Sequence, residues 1–162
     1  MTQDGLGPLD RLLAERSCER LVLDFVRRLD LGEPGTVAEL FTRDGVWEWP
    51  RGGRLVEGRE ALRRYFGARP ADRLSRRICT NVLVTVESAD EATATTYFAT
   101  YRVDGHTEGT LVPPRPPVNI GHYEDVFRRT GGDWLLARRT LVLAFGGETE
   151  RLGTSAGAAG ER

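Results

Sequence analysis

Apolar residues recur at helical spacing through Cys18, Leu21, Val22, Phe25, Val26 and Leu29, which predicts an amphipathic helix starting near an N-cap at Asp10. Arg20, Asp24 and Arg28 fall on the opposite side at four-residue steps, where charge pairing supports an exposed face. Asp30 continues the row Val22, Val26, so its carboxylate turns toward the core as the helix ends. Leu31-Gly32-Glu33-Pro34-Gly35 then breaks the helix. A short second helix over 35–41 carries Val37, Leu40 and Phe41. The turn Thr42-Arg43-Asp44-Gly45 leads into the alternating strand Val46-Trp47-Glu48-Trp49-Pro50. A hairpin tip at Arg51-Gly52-Gly53 and a third helix over 59–67 follow, with Ala61, Leu62, Tyr65 and Phe66 inward.

The second half reads as β structure. Residues 76–87 and 91–103 are joined by Ser88-Ala89-Asp90, and 118–129 and 134–145 by Thr130-Gly131-Gly132-Asp133. The intervening 104–117 holds four prolines and belongs in a loop. Helices followed by hairpin strands give an α+β domain: a curved antiparallel sheet packed on N-terminal helices, with a cone-shaped hollow between them. The expected boundaries are a flexible 1–8, a folded 9–145 and a disordered Gly/Ala-rich tail over 146–162.

Composition adds exclusions. A chain of 162 residues fits one domain with a real core. A net charge of −1, with arginines often beside acids, argues against a nucleic-acid binder and reads as solvated surface. Cys18 and Cys79 form no metal or disulfide pattern, and no apolar run or leader points to a membrane, so a cytoplasmic protein is expected. Phosphate loop, nucleophile elbow and metal-ligand cluster are all missing, which leaves cofactor-free, metal-free chemistry.

The ordered segments LFTRDGVWEWP, EGREALRRYF, RRICTN, GHYEDVFRRTGGDW and ARRTLV resemble the SnoaL-like branch of the nuclear-transport-factor-like superfamily over residues 10–145. Members include polyketide cyclases, scytalone dehydratase, ketosteroid isomerases and epoxide hydrolases, together with non-catalytic binding domains. The resemblance implies a cone-shaped fold and a homodimer. It also places a helix-end acid on Asp30 and a strand acid on Asp125. Where many relatives carry a histidine, this chain is expected to present Ile78 to the substrate.

Strand alternation puts Asn119, Tyr123, Asp125 and Phe127 on one face, and Ile120, His122, Glu124 and Val126 on the other. A carboxyl in an apolar hollow is held back from ionising, as a general acid or base near neutral pH requires. Asp125 is therefore the first catalytic candidate, unless it pairs with an arginine such as Arg139. Asp30 is its partner acid and His106 a loop-borne catalytic group. Trp47, Trp49, Tyr65 and Tyr97 supply walls for a flat ring. The expected function is a cyclase, isomerase or dehydratase for a hydrophobic, oxygenated, polyketide-like molecule in natural-product biosynthesis. A non-catalytic binding or assembly domain is the alternative. Epoxide hydrolysis is a further one, needing an Asp–Arg–Asp set with Arg102 or Arg139.

Overall fold

A computed structural model describes residues 5–153. Helix α1 runs Pro8–Leu31, beginning two residues before the expected cap. Pro8 stands at a first-turn position, where its missing N–H costs nothing, and Asp10 lies in the first turn, where its carboxylate suits the helix dipole. A 3-10 segment, Pro34–Leu40, leads into strand β1 (Phe41–Trp49). Strand β2 (Arg54–Glu57) and helix α2 (Arg59–Gly67) follow. The long strands are β3 (Leu74–Val86), β4 (Glu91–Asp104), β5 (Asn119–Thr130) and β6 (Asp133–Gly146). Gly131 and Gly132 have φ of 61° and 92°, the left-handed pair that a tight β5–β6 turn requires.

Among the described residues the sheet order is β2-β1-β6-β5-β4-β3. The fold class is the α+β cone the sequence predicts, but the sheet is mixed. β1 returns beside β6 in parallel, with Trp47 opposite Arg139, because strand β2, helix α2 and strands β3, β4 and β5 separate them in the chain.

The tail departs from expectation as well. Residues 150–151 form a short strand, β7, parallel to the end of β4. Leu152 N–H donates to the Asp104 carbonyl, Gly147 N–H to that of Val118, and Arg151 pairs with Asp72 at 2.8 Å. A composition rich in small residues does not keep 147–153 from ordering when a sheet edge offers it partners. The rest of the expected tail, and residues 1–4, lie outside the described residues.

The core sits between the α1 stripe and the concave sheet face. Cys18, Val22 and Phe25 meet Val37, Phe41, Leu62, Phe66, Phe127 and Leu136, all buried. Each such large side chain contributes about 1.5–3 kcal/mol on burial. The wide end of the cone is left unfilled, and this opening is the cavity.

Candidate functional site

The cavity encloses about 500 Å³. Phe25 and Leu29 of α1, Trp47 and Trp49 of β1, Tyr65 and Phe66 of α2, and Phe98 and Tyr123 of the sheet form its apolar wall. The rings hold one another at defined angles. Phe98 stacks on Tyr123 at 4.5 Å and 23°, while Trp47 lies 5.1 Å from Tyr65 and edge-on to Phe66 at 5.8 Å. Of the residues the sequence offers for a binding site, Trp47, Trp49, Tyr65, Tyr123 and Asn119 line this cavity. Trp49 reaches the cavity because position 52 has no side chain. A Cβ there would sit 2.0–2.4 Å from its indole carbons.

Alternation on β5 also turns Asp125 inward, but not into the cavity. The β5–β6 register sets it directly opposite Arg139. Arg139 Nε and Nη2 donate to the two carboxylate oxygens at 2.7 Å each, and both side chains are fully buried. The guanidinium is also sandwiched between Phe25, 4.4 Å from its centroid, and Tyr123, at 4.2 Å. Burial alone would lower the Arg139 pKa, but the Asp125 carboxylate more than offsets it and the pKa is raised. Neither residue lines the cavity; the pair is a charged brace beneath its aromatic wall.

Asp30 lies at the polar end. Its carboxylate, 4% exposed, accepts from Ser75 Oγ (2.7 Å), the Arg77 backbone N–H (2.6 Å) and Arg77 Nη1 (2.5 Å). Leu29 before it and Arg77 beside it both line the cavity. Asp30 and Asp125 share no partner, and Arg102 bonds Thr149 at 2.7 Å, so the Asp–Arg–Asp set of an epoxide hydrolase does not form.

Four expected site residues lie elsewhere. Ile78 is 56% exposed on the outer face of β3, and strand parity gives its inward place to Arg77. Tyr97 is 54% exposed, because the helix-facing side of β4 is Ala92, Ala94, Thr96, Phe98 and Thr100. Phe127 is buried in the core one turn of alternation beyond Asp125. His106 is held in its own loop, with Nε2 donating to the Thr110 carbonyl at 3.0 Å, and does not line the cavity.

The sequence profile of the SnoaL-like domain matches residues 10–140. The chain belongs to this family. No curated protein matches it. Among solved structures, an NTF2-like protein with a cystatin-like fold from Novosphingobium aromaticivorans is 25% identical, covering 90% of this chain and 87% of that one, with a TM-score of 0.65. A proposed scytalone dehydratase from the same organism is 21% identical over 92% and 99%, with a TM-score of 0.69. A hexachlorocyclohexane dehydrochlorinase is 18% identical over 86% and 90%, with a TM-score of 0.70. At such identities the last two establish the cone fold alone.

Within this SnoaL-like domain, the charged groups that line the cavity are arginines, not the acids the sequence singles out. Arg54, Arg69, Arg73, Arg77 and Arg102 line it, with no carboxylate among the lining residues. Burial pushes the Tyr123 hydroxyl pKa further above its ordinary value. Among the described residues no cluster of His, Cys, Asp and Glu suits a metal ion, and no helix is long and apolar enough to cross a membrane.

The Gly52–Trp49 contact is testable. Gly52→Ala is expected to shift the tryptophan emission and weaken binding of 2-tetralone, a flat bicyclic ketone, several-fold. The urea midpoint should stay nearly unchanged, since Gly52 is an exposed tip. Unaltered emission and affinity would show that the indole is not held by this contact.

Proposed function

We propose that the domain binds a flat, hydrophobic, oxygenated small molecule of polyketide type and moves a proton on it without a cofactor, as a cyclase, isomerase or dehydratase. The observation that carries this is Asp30, a carboxylate bonded to cavity-lining Arg77 at the polar end of an aromatic enclosure. A base there takes a proton from the carbon beside a substrate carbonyl. Arg77 then turns from the carboxylate toward the oxygen on which charge develops, while Tyr123 and Asn119 hydrogen-bond the remaining oxygens. Family membership is consistent with this chemistry. Asp125 is set aside as the base because its ion pair with Arg139 is wholly buried and neither partner lines the cavity, whereas the partner of Asp30, Arg77, does.

The test is deuterium exchange at the α-carbons of 2-tetralone in D2O, followed by NMR. Acceleration over buffer, abolished by Asp30→Asn, is the expected result. Saturable tetralone binding with no acceleration would favour a second reading, non-catalytic ligand binding. That reading draws support from the full hydrogen-bonding of Asp30 and the lack of any carboxylate on the wall.

We also propose a cytoplasmic homodimer formed through the outer sheet face, where Ile78, Leu83, Tyr97 and Ile120 are exposed together. Light scattering should give twice the chain mass, falling to one chain mass in Tyr97→Glu. A wild-type monomer at micromolar concentration would refute it.

A further inference from the structure

Five arginines around one aromatic cavity are unequally matched. Arg73 is neutralised by Asp104 through two bonds of 2.6 and 2.9 Å, and Arg77 by Asp30. Arg69 and Arg102 have no carboxylate partner among the described residues. Arg69 donates instead to the Leu29 carbonyl and Ser75 Oγ, each at 3.2 Å, and Arg102 Nε donates to Thr149 Oγ1 at 2.7 Å. These neutral acceptors fix the direction of both guanidinium groups without cancelling their charge.

Strand geometry explains why they converge. Arg102 follows Phe98 and Thr100 on the inward face of β4, opposite Ser75, while Arg69 reaches the same Ser75 from the segment after α2. Both guanidinium pKa values are pushed down to about 10, first by burial and then by neighbouring arginines. Concentrated positive charge in a partly dry cavity is unfavourable until an anion enters. In the same cavity, the buried Trp49 Nε1–H has no acceptor among the described residues.

We infer that the natural ligand is an aromatic or polycyclic carboxylate, its carboxylate gripped by Arg69 and Arg102 while its rings lie against the Trp47, Tyr65 and Tyr123 wall. This rests on the cavity being the ligand site and names the class of molecule that site takes. Two guanidinium forks suit a planar carboxylate, and charge-assisted bonds shielded from water are the strong kind. The acid group also fixes the orientation of the rings relative to Asp30, a role that a wall of aromatic rings alone fills poorly.

The test compares 2-naphthoate, its neutral counterpart 2-naphthamide, and 2-naphthyl phosphate, by quenching of tryptophan fluorescence and by calorimetry. The carboxylate should bind at least about tenfold more tightly than the amide. That margin should vanish in the doubly substituted Arg69→Gln/Arg102→Gln protein while amide affinity stays within about twofold, which shows an intact cavity. In the unsubstituted protein the margin should shrink but persist near 1 M salt, because a pair shielded from water is screened much less than an exposed one. Equal affinity for carboxylate and amide overturns the inference and leaves the cavity reading standing. A margin that survives removal of both arginines overturns it too. Tighter binding of the phosphate overturns the choice of a carboxylate. Binding of none of the three at millimolar concentration overturns the cavity reading and this inference together.

Discussion

Asp125→Ala is expected to lower the unfolding free energy by about 3–5 kcal/mol in urea titration, the largest effect of any single change at the site. The cost does not measure the strength of the ion pair. It measures what remains: a guanidinium with no exposure, stacked between Phe25 and Tyr123, with no counter-ion and an Nη1 that already lacks a partner among the described residues. A domain of this size holds about 5–15 kcal/mol in all, so the variant should be marginal at physiological temperature. Replacing both partners with apolar groups of similar volume, Asp125→Leu with Arg139→Met, should recover most of the loss, since no charge is then stranded. A single-variant cost below about 1 kcal/mol would mean that water reaches the pair, contrary to its complete burial. The prediction also separates two roles for this acid. A catalytic residue is commonly removable with little loss of stability, whereas a brace is not.

That role was half legible in the sequence. Period-two alternation turns Asp125 inward beside Tyr123, but the turn at 130–133 alone would set Arg138 opposite it; a β-bulge between Val126 and Phe127 shifts the register by one residue and brings Arg139 there instead. Alternation alone cannot show that a cross-strand cation closes the carboxylate off from the cavity. The helices and hairpins were legible for similar local reasons. The α1 stripe, the span of α2 and the two hairpin turns each follow from periodicity and turn chemistry within a few residues. The parallel β1–β6 pairing and strand β7 depend on contacts between distant segments, which leave no local mark.

The arginines were misread for a different reason. Beside acidic neighbours in a near-neutral chain, they read as solvated surface. Yet Arg102 repeats the spacing of Phe98 and Thr100 at i+2, and Arg77 sits two residues from inward Ser75. The face of a strand, not its sequence neighbours, decides where a charge lies. The same parity moves Ile78 and Tyr97 outward, and neither position can be assigned until it is known which face the helices cover.

Asp30→Asn carries the second large expectation: a fall of about 10²–10⁴ in catalysed exchange of 2-tetralone, the usual effect of removing a general base. The change keeps the side chain's volume. An amide oxygen still accepts from the Arg77 backbone N–H or from Ser75, so the fold should tolerate it far better than Asp125→Ala. What it removes is the negative charge that holds Arg77 and the lone pair that takes the proton. Tetralone affinity is the necessary companion measurement, because Arg77 lines the cavity and its release would alter binding if Asp30 only positions it. Lost exchange with affinity kept within a few-fold assigns proton transfer to Asp30. Lost exchange with equally lost affinity makes Asp30 a positioning residue for Arg77, and unchanged exchange removes it from the chemistry. Ser75→Ala refines the first outcome. Deleting one donor to the carboxylate frees a lone pair and makes Asp30 a stronger base, so exchange should rise or hold, whereas a purely architectural network would weaken at both positions.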